Sequence, residues 1–153
     1  MSVDKTKINR VKIKVQRISP DAKLPNYQHL GDAGADICST INYTLKPNER
    51  KAIPIGLKVE IPQGYELQVR SRSGLALKDG IFVLNSPGTI DSGYRGEIQV
   101  ILINVSDKEY DIHINQRIAQ IVLNPVFIAI FEEDETLTES SRGSAGFGST
   151  GKK

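Results

Sequence analysis

The chain has 153 residues, enough for one domain and too few for two ordinary ones. Hydrophobic residues make up 39% and charged residues 25%, a globular balance, while 20 Lys+Arg against 18 Asp+Glu leave a net charge of +2, too weak to point to nucleic acid. One cysteine, Cys38, excludes an internal disulfide framework, and no apolar run approaches the ~18 residues of a membrane span, so neither nucleic acid nor membrane is an expected partner.

From the N-terminus, Met1 to Gln16 carries Lys5, Lys7, Arg10, Lys12 and Lys14 with no apolar run, which is not the pattern of a secretory signal. A soluble intracellular chain (cytoplasmic, or nuclear in a eukaryote) is expected. The glycosylation sequons at Asn42-Tyr43-Thr44 and Asn104-Val105-Ser106 then read as chance. Apolar residues alternate at Val11, Ile13 and Val15, at Leu57, Val59 and Ile61, at Leu67 and Val69, and at Ile112 and Ile114, each predicting a half-buried strand. Ile98–Val105 and Ile118–Ile130 are more continuously apolar and predict more deeply buried strands. Turn-forming clusters such as Pro62-Gln63-Gly64 and Ser86-Pro87-Gly88 fall between these runs. Only Ser73 to Lys78 looks helical, with Ser73 as cap and Asp79-Gly80 as stop. Many short strands with regular turns predict an all-β barrel or sandwich.

The C-terminal stretch differs in composition. An acidic run, Glu132 to Glu135, precedes a Ser/Gly-rich segment that holds Arg142 and Phe147. It reads either as a solvated tail or as a flap that orders over a ligand.

Metal-ligand spacings are missing: His29 and His113 stand far apart, and no Cys-x-x-Cys or His-x-x-x-His occurs. Cys38 reads as a small buried residue, not a nucleophile. Gly146 to Lys152 approximates a phosphate loop, but Lys153 stands where Ser or Thr is needed and no helix follows. Two other clusters carry more. Arg70-Ser71-Arg72-Ser73-Gly74 gathers guanidinium groups and hydroxyls at the end of a predicted strand, which suits phosphate or a plain capped strand end. Asn85 to Gly96 joins two apolar runs and offers Asn85 to read a base edge, Asp91 as a base toward water, and Tyr94 to pack on a sugar. A turn aspartate bonding its own backbone is the alternative for Asp91.

In order, Ala33-Gly34-Ala35-Asp36-Ile37, Arg72-Ser73-Gly74-Leu75-Ala76, Gly88 to Gly96, Gln116-Arg117-Ile118-Ala119-Gln120 and Arg142 to Gly151 resemble the five motifs of the homotrimeric deoxyuridine triphosphatase (dUTPase) family. The resemblance covers about residues 10–151. It implies a jelly-roll-like β-barrel, the dUTPase fold, over 1–135, with one short helix and a flexible Gly-rich tail at 136–153. It implies a homotrimer with shared active sites, each closed by a tail. Asp91 would activate a water that attacks the α-phosphorus of dUTP, giving dUMP and pyrophosphate. This reaction limits uracil in DNA and supplies dUMP for thymidylate synthesis. Asn85, Thr89, Ile90 and Asp91 would read uracil, with Gln99 a weaker contact, and Tyr94 would exclude a 2′-hydroxyl. Arg72, Ser73, Gly74 and Gln120 would hold phosphates. Arg142 would clamp the γ-phosphate, and Phe147, with Gly148 beside it, would stack on the base. Mg2+ would ride on the phosphates, with Asp36 its outer-sphere carboxylate.

Two departures stand out. Ser71 replaces a usual proline and is expected to loosen the strand end, and Ala145 replaces a usual glycine. A dCTP deaminase on the same fold typically has a second serine where this chain has Gly74. A dUTP-responsive binding protein is the non-enzymatic alternative.

Overall fold

The structure, a computed structural model, describes residues 9–147. It contains β1 (Lys14–Arg17), β2 (Gly34–Cys38), β3 (Tyr43–Leu45), β4 (Arg50–Pro54), β5 (Leu57–Glu60), β6 (Tyr65–Arg70), α1 (Ser73–Asp79), β7 (Ile81–Val83), β8 (Gly88–Ile90), β9 (Gln99–Asn104), β10 (Tyr110–Ile112) and β11 (Arg117–Pro125). All pairings are antiparallel, in ladders ordered β1-β5, β10-β3, β2-β11-β6-β8 and β4-β9-β7. The all-β class is therefore as the period-two pattern predicts. The ladders wrap one shared core but do not close into a continuous barrel among the described residues.

The four-stranded sheet positions the site. Its inner face is a ladder of apolar cross-strand neighbours: Ala35 faces Ile121, which faces Val69, and Leu123 faces Leu67, which faces Ile90. These side chains join the core with Ile37, Leu57, Leu102 and Ile118. Period two then forces the alternate residues outward, so Asp36, Gln120, Arg70 and Gln68 line the other face in register. That face is half-buried and polar, and Arg70 donates to Gln68 Oε1 (2.7 Å) while Gln68 donates to Glu66 Oε1 (2.7 Å).

Several expectations need correction. The alternation at Val11–Val15 persists in burial, but ladder pairing begins only at Lys14. The Ile118–Ile130 run ends as a strand at Pro125, whose missing N–H is tolerated at the last rung. Beyond it, Phe127, Ile128, Ile130 and Phe131 are exposed, with Phe131 at 93%. Ser73 does not cap α1. Arg72 is the extended N-cap residue and makes no side-chain cap bond, since a guanidinium has no acceptor for a backbone N–H; it pairs instead with Asp36. The stop is as expected: Gly80, at φ 67°, donates back to the Leu75 carbonyl. Ser71 tightens rather than loosens its strand end, since its Oγ accepts the Val83 amide at 3.0 Å. Cys38 is half-buried rather than buried, and burial pushes its thiol up, away from nucleophile chemistry. Asn104, the acceptor residue of the second sequon, is fully buried, and its side-chain amide donates to the carbonyls of Leu45 and Lys108.

Candidate active site

Three of the five motifs meet at one end of the four-stranded sheet. Asp36 on β2 forms an ion pair with Arg72 Nε at 3.2 Å through Oδ1 and accepts a hydrogen bond from Arg117 Nη1 at 3.2 Å through Oδ2. Arg72 Nη1 also donates to the Arg117 carbonyl at 3.3 Å. Gln120, directly opposite Asp36, donates its side-chain amide to the Ser71 carbonyl at 3.0 Å. Gly34 makes room for that amide, because a Cβ there would overlap Gln120 Oε1 and come within 2.9 Å of Cδ. The result is an outward-facing group of two guanidiniums on one carboxylate, net positive, beside a carboxamide and the Ser73-Gly74 start of α1.

The hairpin motif lies along the same sheet but at a different height. β8 pairs with β6 so that Gly88 faces Val69 and Ile90 faces Leu67. Asn85 packs on Gly88, since a Cβ on Gly88 would meet Asn85 Nδ2 at 3.3 Å. Thr89 is exposed, and Ile90 is buried toward the core. Leu84 donates to the Ile101 carbonyl, which carries Asn85 alongside the start of β9, where Gln99 is exposed. Asp91 is exposed and opens a turn closed by the Tyr94 amide donating to the Asp91 carbonyl at 3.1 Å. Among the described residues its side chain makes no bond to its own backbone, so the turn leaves the carboxylate open.

Tyr94 is half-exposed and seated on Gly96, where its hydroxyl donates to the Glu97 carbonyl at 3.0 Å. Arg95 ties the turn by donating to the Ser92 and Tyr94 carbonyls at 2.7 and 3.0 Å.

Within one chain the two groups do not meet. Continuing the β8–β6 register one residue past the last pair, Ile90–Leu67, sets Asp91 beside Glu66, and Arg72 lies six residues further on, about 20 Å for extended chain. Among the described residues Arg142 donates to the Ala145 carbonyl at 3.0 Å, and Phe147 is fully exposed. Gly148 lies outside the described residues. A concavity of about 690 Å³, lined by residues such as Val11, Tyr27, His29 and Leu123, contains none of the motif side chains singled out above. Among the described residues no group of three His, Cys, Asp or Glu could cage a metal. Asp36 already serves two arginines, so the donor set fits a magnesium ion carried by phosphates and touched through water, not one held by the protein.

Sequence reading missed Arg117 as a site residue. It belongs to a quoted motif, but its partner Asp36 is 81 residues away, and only strand register brings them together.

An all-β chain that gathers a guanidinium pair, a carboxamide and a separate carboxylate turn has the makings of a phosphate-handling enzyme. The dUTPase family model matches residues 20–151. The deoxyuridine 5'-triphosphate nucleotidohydrolase of Helicobacter pylori (strain P12) is 51% identical over 141 residues, covering 92% of this chain and 97% of the relative. That of Chlamydia pneumoniae is 59% identical over 132 residues, covering 84% and 91%. A mutant dUTPase of Staphylococcus bacteriophage 80alpha with dUpNHpp superposes with a TM-score of 0.85 at 29% identity, over 92% of this chain and 98% of that one. The chain belongs to the dUTPase family. A phage phi11 relative of TM-score 0.78 and 25% identity, over 84% of this chain and all of that one, is described for its coordination of a structural Mg(II) ion. No described helix is long and apolar enough to cross a membrane.

Proposed function

We propose that this chain hydrolyses dUTP to dUMP and pyrophosphate. The observation that carries the reading is the family match across residues 20–151, with Asp91 on an open turn. In this reading Asp91 takes a proton from a water that attacks the α-phosphorus, and pyrophosphate leaves with the electron pair of the broken P–O bond. Asn85 and the Thr89–Asp91 backbone pair with the edge of uracil, with Gln99 nearby, and reject cytosine by donor/acceptor mismatch. Tyr94, fixed by Gly96 and Glu97, forms the floor against which a 2′-hydroxyl has no room.

The Arg72 guanidinium, the Ser73-Gly74 amides and Gln120 hold the phosphate chain. Magnesium, when bound, neutralises the triphosphate and fixes its geometry. In this reading Asp36 is the carboxylate that meets its water shell.

The roughly 20 Å between Asp91 and Arg72 in one chain supports a site built between chains. We propose a homotrimer in which Asp91 and Arg72 of a site come from different copies and the 136–153 tail supplies Arg142, Phe147 and Gly148 as a closing flap over the 1–135 body. The exposure of the tail and of Phe127 to Phe131 in the single chain supports this.

The test is pyrophosphate release with magnesium from dUTP, dCTP, dTTP and UTP, with ammonia release scored for dCTP. Release from dUTP alone is expected. Ammonia from dCTP would make the chain a deaminase, and tight dUTP binding without release would make it a binding protein.

A further inference from the structure

We infer that Glu97 is a positioning residue for sugar discrimination: its carboxylate, anchored on the Gly56 amide, holds the Glu97 carbonyl against the Tyr94 hydroxyl and so locks the tyrosine ring. The inference rests on the dUTP reading above and deepens its sugar half.

The anchor is rigid. Gly56 is buried between β4 and β5, and at φ 68° a Cβ there would come within 2.8 Å of Ser19 Cβ and 2.9 Å of Ala22 Cβ. The chain on every side of this turn leaves it no room to shift. Its amide donates to Glu97 Oε1 at 3.0 Å, a charge-assisted bond. No cation pairs with that carboxylate among the described residues. Period two would send Glu97 outward with the exposed Gln99, yet Glu97 is half-buried because its side chain reaches back to Gly56.

The Glu97–Ile98 peptide carries the anchor to Tyr94. Its N–H donates to the Leu57 carbonyl at 2.9 Å, and its C=O accepts the Tyr94 hydroxyl at 3.0 Å. The peptide is planar and trans, so its N–H and C=O point opposite ways, and the bond to Leu57 aims the carbonyl at Tyr94. One bond alone leaves the plane free to rock about it. The carboxylate on Gly56 supplies a second point on the same turn, one residue from the first.

Tyr94 needs such a tether. Its ring is half-exposed and lies in the space Gly96 leaves, where a Cβ would overlap the hydroxyl. Arg95 ties the Tyr94 carbonyl at 3.0 Å, which holds the backbone end, and Glu97 holds the hydroxyl end. An exposed ring without that tie changes rotamer freely and swings aside for a 2′-hydroxyl. A ring held at both ends does not.

The full-length chain and its Glu97→Ala, Glu97→Gln, Tyr94→Phe and double Glu97→Ala, Tyr94→Phe variants test this. For each, kcat/KM for pyrophosphate release is measured with dUTP and with UTP, and binding of dUMP and UMP by calorimetry. In Glu97→Ala the dUTP-over-UTP ratio is expected to fall about fivefold, the worth of one hydrogen bond, with UTP gaining more than dUTP loses. Glu97→Gln keeps an acceptor for Gly56 and holds the ratio within about twofold of wild type. Tyr94→Phe lowers the ratio as Glu97→Ala does, while Gly56 keeps its partner. The double variant falls no further than either single one, because both cut the same link.

A ratio unchanged in Glu97→Ala overturns the inference, since a merely structural brace slows both substrates alike. So does a ratio unchanged in Tyr94→Phe, a Glu97→Gln ratio as low as that of Glu97→Ala, or a double variant whose losses add. Should Glu97→Ala lose its fold with the Gly56 amide unpaired, Glu97→Asp, one methylene short of that amide, takes its place under the same criteria. If the wild type releases no pyrophosphate from dUTP while the calorimetric preference for dUMP over UMP still falls in Glu97→Ala, the hydrolysis reading fails and the brace stands. A preference unchanged in that case overturns both.

Discussion

Gly34→Ala asks whether Gln120 must stand where it does. The backbone at Gly34 lies outside the left-handed region, so alanine adds no conformational strain. In a strand that change would stabilise by roughly 0.5–1 kcal/mol through the unfolded chain. The new methyl, however, overlaps Gln120 Oε1 and lies 2.9 Å from Cδ and 3.3 Å from Cγ. Those atoms end a flexible side chain, so the fold survives and Gln120 moves instead. Its bond to the Ser71 carbonyl is lost, at a cost of about 1 kcal/mol. The two effects on stability nearly cancel, and the thermal midpoint is expected to stay put. The cost appears in the phosphate site, as a fall in kcat/KM for dUTP of roughly fivefold, carried mainly by KM. Steady-state kinetics beside a thermal melt reads both quantities. An unchanged kcat/KM would refute the reasoning, and so would a collapse of the fold.

Three further outcomes follow from the packing. Asn104→Ala removes two donations to the Leu45 and Lys108 carbonyls and two acceptances from Ser106, in a fully buried position. It should lower unfolding stability by about 3 kcal/mol in urea titration at fixed protein concentration. Deleting residues 136–153 should leave the midpoint within about 2 °C, since the described part of that segment is almost wholly exposed, while kcat/KM falls by about 100-fold. Glu49 is held below its usual value by the Tyr43 hydroxyl first and the Lys46 amide second. A lowered folded-state value adds stability that is complete above the unfolded value and is lost as pH falls through the folded one. The stability gap between wild type and Glu49→Gln should therefore be widest above about pH 5 and close on acidification.

The parts of the fold legible in the sequence were those where alternation is carried by large apolar residues, as at Leu57-Val59 and Leu67-Val69. β2 was not, because Gly34, Asp36 and Cys38 are poor strand signals and only Ala35 and Ile37 face the core. β3 and β8 are three residues each, too short for a period to show. The Phe127–Phe131 run misleads for another reason: its apolar residues find no place in this chain's own core. At the site, residue types were readable and neighbours were not. Arg72 and Asp91 stand out by chemistry, but the pairing of Asp36 with Arg117 depends on a bulge. Ser71 looked like a loosened proline until its hydroxyl proved to hold Val83.

The claim that most depends on the geometry is that Asp91 and Arg72 of one site belong to different copies. Asp91→Asn and Arg72→Gln chains, each inactive alone, should be unfolded together in equal amounts, refolded and assayed with dUTP. Random assembly leaves about one site in four with both residues intact, so the mixture should regain roughly a quarter of wild-type activity. A mixture as inactive as its two components would contradict the shared site and place both residues in a single chain's pocket.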